Sequence, residues 1–150
     1  MTPPLTMPPM PVEAADNEAT LSAGEMRELY TRGYQALEVG DIKIACDHFA
    51  YLVLLQPQHP QFLFAFACGL QQQKAYAQAL LMFTCVLSIQ STDPYAAFHY
   101  GECALALEDN FLAYEAFKLT RELCFAQSND NPSYTTLRQQ AEVQLNVLNN

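Results

Sequence analysis

Hydrophobic residues recur at three- and four-residue steps along most of the chain, which is the pattern of amphipathic helices packed on one face. Short polar or proline-containing segments separate these stretches. The predicted helices pair as 23–38 with 42–55, 60–72 with 76–89 and 94–107 with 110–124, and a seventh follows from about 133. The pattern therefore predicts an all-α fold.

The pattern also repeats at a constant interval along the chain. Three columns carry the repeat without an insertion: Ala45, Ala79 and Ala113; Phe49, Phe83 and Phe117; and Gly33, Ala67 and Gly101. Small residues let two antiparallel helices approach closely, and a phenylalanine fills the space between neighbouring hairpins. We predict three repeats of equal length, at 26–59, 60–93 and 94–127.

These columns resemble the tetratricopeptide repeat, and Gly40-Asp41 and Pro57 also match its pattern in the first repeat. The chain departs from the pattern because tryptophan is absent and because Ser91 and Phe125 replace the closing proline. The resemblance implies three tandem helical hairpins that form a short right-handed superhelix. Such a stack needs a terminal cap, and the apolar stripe in the helix predicted at 133–148 supplies it.

The two ends of the chain differ in character. Residues 1–20 hold five of the nine prolines and few large apolar groups, so we expect a disordered tail. Ser22 and Glu25 have the spacing of a capping box, which predicts that order begins there. The folded domain is therefore expected to span 21–150.

Composition limits the possible partners and compartments. The net charge of −9 disfavours nucleic acid and anionic membranes as ligands. The five cysteines are odd in number and lie within helical patterns, which favours reduced thiols in a cytosol. No stretch resembles a secretory signal or a membrane span, so we expect a cytoplasmic protein.

A second aromatic column marks a candidate binding surface. In this repeat the first helix of each pair lines the concave side, where Tyr30, Phe64 and Phe98 recur once per repeat in the same register. The same helical faces carry Tyr34, Leu37, Cys68, Tyr95, Glu102 and Leu105. These aromatics could simply be core. Because residues such as Leu29 and Leu63 already supply the packing positions, we favour a groove lined by the aromatics.

The whole-chain layout resembles the class II chaperones of bacterial type III secretion. Local matches are Leu29-Tyr30-x-x-Gly33-Tyr34, Gly40-Asp41, Phe49 with Leu52, and Asp93-Pro94 leading to His99-Tyr100-Gly101-Glu102-Cys103. The resemblance implies a homodimer that guards hydrophobic translocator proteins. It also implies that a client segment of the form Pro-x-Leu-x-x-Pro lies in the groove, with the nine residues of the aromatic surface forming its pockets.

The N-terminal segment itself contains that pattern, in Pro3-Pro4-Leu5-Thr6-Met7-Pro8. One hypothesis is that this segment occupies the groove when no client is present. A proline-rich segment can also match such a short pattern by accident.

Other kinds of site are less well supported. His99, Glu102 and Cys103 lie within one helical turn, but no further ligand pair accompanies them, so we predict no metal site and no cofactor. The Cys103–His99 pair lacks the other groups that a nucleophile needs, so we predict that the protein is not an enzyme. The main alternative is a generic tetratricopeptide adaptor, although adaptors that clamp a terminal carboxylate use several lysine and arginine residues in the groove, and this groove offers almost none.

Overall fold

The computed structural model of the chain describes residues 21–127 and 131–150. Within them it contains the helices α1 Ala23–Glu38, α2 Ile42–Leu55, α3 Pro60–Gln72, α4 Tyr76–Ile89, α5 Pro94–Ala106, α6 Asn110–Ala126 and α7 Pro132–Leu148. No strand occurs in this part of the chain. The all-α prediction is confirmed, and every helix begins and ends within two residues of its predicted position.

The helices form a linear stack of hairpins. Each helix packs mainly against the one before it and the one after it, and the first helices of successive pairs, α1, α3 and α5, also touch one another. Such nearest-neighbour packing is what a tandem helical repeat requires, because one hairpin cannot bury its apolar face alone.

The same tight turn joins the two helices of every pair. Gly40, Lys74 and Glu108 occupy equivalent positions in the three repeats, and each has a positive φ, of 83°, 63° and 63°. After each of them an amide donates to a carbonyl five residues earlier, as from Asp41 N to Ala36 O at 2.8 Å. This left-handed residue with its long-range bond ends the first helix and reverses the chain.

The core consists of one buried phenylalanine per repeat and the small residues around it. Phe49, Phe83 and Phe117 are fully buried, as are the three alanines of the first column. A Cβ atom at Gly101 would lie 2.8 Å from Cε1 of Phe117, and one at Gly33 would meet Phe49 more closely still. The helices are therefore as close as the small-residue column predicts.

Capping interactions define several helix starts. Ser22 and Glu25 form the predicted capping box: Ser22 N donates to Glu25 Oε2 at 2.7 Å, and Glu25 N donates to Ser22 Oγ at 3.2 Å. At α5 the Asp93 side chain accepts from the amides of Tyr95 and Ala96. The predicted tail, residues 1–20, lies outside the described residues.

At the other end, α7 packs on α6 and α5. Its apolar stripe of Leu137, Ala141 and Leu145 is buried. Among the described residues, no helix is long and apolar enough to cross a membrane.

Candidate peptide-binding groove

Three of the predicted groove residues, Tyr30, Phe64 and Tyr95, line one cavity near the N-terminal ends of α3 and α5. This cavity, the central pocket, has a volume of about 410 Å³. It is lined by Tyr30, Pro60, Gln61, Phe64, Gln90, Asp93, Tyr95 and His99. It is thus bounded by α1, α3 and α5, the helices that the repeat pattern places on the concave side.

A second cavity adjoins the first. This side pocket, of about 300 Å³, is lined by Ala23, Met26, Arg27, Tyr30, Gln56, His59, Gln61 and Phe62. Because Tyr30 and Gln61 line both cavities, the two form one open depression that runs from the start of α1 towards α5.

The wall of the central pocket rests on the core of the second repeat. The Phe64 ring meets the rings of Phe83 and His99 edge-on, with both centroid distances 5.7 Å. The His99 ring in turn lies parallel to that of Phe83, at 5.5 Å and 9°. Since Phe83 is fully buried, Phe64 and His99 are held in place from behind while each remains partly exposed.

Tyr30 and Tyr34 differ in their access to the groove. The Tyr30 ring lies 5.7 Å from Phe62 and 4.9 Å from Tyr34, and it lines both pockets. Tyr34 packs edge-on against Phe49 at 5.3 Å and lines neither pocket. Burial raises the pKa of the Tyr34 phenol well above its ordinary value, and the hydroxyl of Tyr30, 3.5 Å away, adds to this effect.

Glu102 is the acidic group among the predicted groove residues. Its Oε1 lies 3.0 Å from His99 Nδ1, but the two groups are not aligned for a hydrogen bond. The same oxygen accepts a hydrogen bond from Gln71 Nε2 at 3.2 Å. Burial raises the pKa of Glu102, but the contacts with His99 and Gln71 outweigh burial and leave the pKa below its ordinary value. The carboxylate therefore links α3 to α5 and is satisfied by protein groups.

The remaining predicted residues line the groove less directly. Cys68 packs against the core around Phe83, and burial, with smaller effects from Cys103, Glu102 and Asp93, raises the pKa of its thiol to about 12. Leu37 packs against the core around Phe49, and Leu105 packs against the core around Phe117. Tyr95 faces the central pocket, and its ring lies 5.9 Å from that of Tyr134 in α7.

The position of Phe98 differs from the prediction. Its ring is only 8% exposed and lies 5.4 Å from that of Phe117. It shares one buried cluster with Leu137 and Ala141 of α7. The terminal helix covers the face that stays open in the earlier repeats, so Phe98 is core, and His99 takes the place in the pocket that we had given to Phe98.

Several residues that line the central pocket are not among the nine predicted groove residues. Pro60 and Gln61 precede Phe64 by four and three residues, and His99 follows Tyr95 by four, so each pair shares a helix face. Helical spacing from the predicted aromatics would have found all three. Gln90 and Asp93 come from the segment between α4 and α5, where no periodicity applies.

No group of three or more histidine, cysteine, aspartate or glutamate side chains is placed to hold a metal ion within residues 21–127 and 131–150. The side chains of His99 and Glu102 lie next to each other. The His99 ring stacks on Phe83, and Glu102 accepts a hydrogen bond from Gln71. The central pocket is thus an open depression that combines aromatic rings with the amide and carboxylate side chains of Gln61, Gln90 and Asp93.

Solved structures with the same fold include type III secretion chaperones. PcrH in complex with the chaperone binding region of PopD is 25% identical to this chain, with a TM-score of 0.79, and the match covers 86% of this chain and 94% of PcrH. PcrH in complex with the chaperone binding region of PopB is 26% identical, with a TM-score of 0.76 and coverage of 83% and 98%. PcrH comes from Pseudomonas aeruginosa.

A third similar structure is the Yersinia enterocolitica chaperone SycD in complex with a peptide of the translocator YopD. It is 20% identical, with a TM-score of 0.78 and coverage of 85% and 95%. No protein-family model and no curated protein matches the chain. The solved structures confirm the resemblance predicted from the sequence: this chain is similar to translocator chaperones of type III secretion and has the same tetratricopeptide-like helical hairpins.

Proposed function

We propose that this chain holds an extended segment of a hydrophobic translocator protein in its concave groove and keeps that protein soluble until export. The observation that supports this most strongly is the central pocket, where Tyr30, Phe64 and Tyr95 meet, on a chain with the fold of PcrH and SycD. PcrH has been crystallised with the chaperone binding regions of PopD and PopB, and SycD with a peptide of the translocator YopD, which makes a translocator the best candidate partner here.

The chemistry of the pocket suits an uncharged, extended segment. Its walls are aromatic rings that are fixed from behind by the core, so little conformational entropy is lost when a ligand docks. Gln61 and Gln90 at the edge provide amide groups that can bond to a ligand backbone. Proline and leucine side chains fit such a surface, because an extended proline-rich chain is already close to its bound shape.

The lining of the central pocket argues against the adaptor alternative. A clamp for a terminal carboxylate needs several basic side chains, and the residues that line this pocket include no lysine or arginine. Asp93 at its edge caps α5 through its own carboxylate. From the likeness to those chaperones we infer a binding protein without catalytic chemistry, and we place it in the bacterial cytoplasm as a homodimer.

A steric block in the pocket tests this function. We expect Gln61→Trp to abolish co-purification with a co-expressed hydrophobic translocator, because the exposed Gln61 lines both pockets and an indole would fill them. Gln72→Trp is the matched control, since Gln72 is exposed on the same helix and lines neither pocket. Tyr34→Ala is a poor probe, because Tyr34 packs on Phe49 in the core.

Both variants should keep the helical circular dichroism of the wild type. Equal loss of the translocator in both variants would mean that a general change of the fold is responsible. Unchanged co-purification with Gln61→Trp would exclude the central pocket as the binding site.

A further inference from the structure

The two pockets lie at the end of the molecule from which the N-terminal segment leaves. The side pocket is lined by Ala23 of the first turn of α1, only two residues after Leu21, where the described chain begins. The central pocket is lined by residues in the first turns of α3 and α5, such as Gln61 and Tyr95. The segment that precedes Ser22 therefore starts beside the groove.

The composition of this segment divides into two parts. Residues 1–12, MTPPLTMPPMPV, carry five prolines and four apolar side chains longer than alanine after Met1, and no charged side chain. Residues 13–20 contain Glu13, Asp16 and Glu18 and no basic residue. Uncharged proline-rich chains dock in aromatic-lined grooves because they bind in the extended form that they already favour.

The acidic part is complementary to the surface that it must cross. Arg27 lines the side pocket, is exposed, and makes no ion pair among the described residues. The first turns of α1 and α3 also point their free amides towards this end, where acidic side chains are favoured. The negative charge of residues 13–20 is thus complementary to Arg27 in the side pocket. Residues 3–8 are uncharged and proline-rich, which suits the aromatic lining of the central pocket.

The chain between Pro8 and Ser22 is long enough for Pro3–Pro8 to reach the central pocket. Neighbouring packed helices lie about 8–10 Å apart, so α5 is about 20 Å from α1. The thirteen residues from 9 to 21 span about 40 Å in an extended proline-type helix at about 3.1 Å per residue. The segment from Pro3 to Pro8 can therefore lie over Phe64 and Tyr95 of its own molecule with length to spare.

We propose that Pro3–Pro8 of this chain docks in the central pocket of the same molecule when no client is bound, with the acidic residues 13–20 passing Arg27. The docked segment covers the aromatic surface that would otherwise face solvent. That a translocator displaces it rests on the proposed function, while the docking itself does not.

Photo-crosslinking in the full-length chain tests the docking. We expect Leu5→benzoylphenylalanine to crosslink within one chain to peptides that contain 60–64 or 95–99, as identified by mass spectrometry. The same amino acid in place of Ala15, which the proposal sets beside the side pocket, is the control and should not reach the peptide that contains 95–99. Adding Gln61→Trp to the Leu5 variant should remove the crosslink, because the indole fills the pocket.

Crosslinks on α2, α4 or α6, crosslinks between two chains, or no crosslink at all would each overturn the proposal. Translocator affinity separates it from the proposed function. We expect Leu5→Glu to bind the translocator about threefold more tightly or better, since a site that is free only part of the time binds in proportion to that fraction.

A crosslink from position 5 to the pocket, with no translocator bound by any variant, would remove the proposed function and support the docking. If the chain binds a translocator but shows no crosslink from position 5, and if Leu5→Glu does not raise the translocator affinity, the proposed function is supported and the docking proposal is wrong.

Discussion

The ring of Phe117 lies directly against the Cα atom of Gly101, and a Cβ atom at Gly101 would be 2.8 Å from Cε1 of that ring. Phe117 is fully buried and cannot move aside. We therefore expect Gly101→Ala to lower the free energy of unfolding by about 1–3 kcal/mol, the usual cost of overpacking. Urea unfolding followed by circular dichroism measures this change.

Gly24→Ala is the control for that substitution. Gly24 is also helical, but the nearest atom to its added Cβ would be Ser22 Oγ at 3.9 Å. Removing a helical glycine without a clash should stabilise the protein by about 0.5–1 kcal/mol. If both substitutions changed stability in the same direction, close packing at Gly101 would not be the cause.

Glu102 should make the stability of the protein depend on pH. Its pKa in the folded protein lies below the ordinary value of 4.5, because the contacts with His99 and Gln71 outweigh burial. A lowered pKa means that the carboxylate stabilises the fold above pH 4.5 and that this contribution fades as the pH falls through the folded pKa.

Glu102→Gln removes this titration. We expect the variant to be less stable than the wild type at pH 7 and the difference to shrink below pH 4.5, in urea unfolding at a series of pH values. A difference that stayed constant between pH 7 and pH 3 would contradict the assigned role of the carboxylate.

Lys74 and Glu108 stand where the first repeat has Gly40, and both have a φ of 63°. A side chain in this left-handed conformation costs about 1 kcal/mol relative to glycine. We expect Lys74→Gly and Glu108→Gly each to stabilise the protein by up to about 1 kcal/mol, and Gly40→Ala to destabilise it. Thermal unfolding of the three variants checks this prediction, and a loss of stability in both glycine variants would refute it.

The cysteines should differ sharply in reactivity. Burial is the main cause that raises the thiol pKa to about 11 for Cys46 and about 12 for Cys68 and Cys103. Only the thiolate is a good nucleophile, and Cys85 is exposed. We expect iodoacetamide at pH 8 to modify Cys85 first, as measured by mass spectrometry of the folded protein. Earlier modification of Cys68 would show that the groove opens to solvent more than the structure indicates.

The helices and their pairing could be predicted because the signals are local or repeat at a fixed period. The small residue at Gly33 and the buried phenylalanine at Phe49 each recur once in every repeat, so the close contact between the paired helices could be predicted from the sequence. The turn at Gly40 was also recognised. The matching turns at Lys74 and Glu108 were not, because these residues rarely adopt a positive φ and only the repeat register reveals them.

The groove was predicted less completely. Tyr30, Phe64 and Tyr95 do meet in the central pocket, since they lie on helix faces that the repeat brings together. Which aromatics remain open depends on the neighbours of each helix. Phe98 occupies the same repeat position as Phe64, yet it is 8% exposed because the third repeat is followed by a capping helix in place of another hairpin.

By itself the sequence determined seven helices, a tandem repeat and a core of phenylalanines against small residues within the described part of the chain, because helical periodicity and repeat spacing are properties of one chain segment. The tertiary structure decided that His99 rather than Phe98 lines the pocket and that Gln61 joins two cavities. Those facts depend on contacts between helices that are distant in sequence, and only the packed stack defines such contacts.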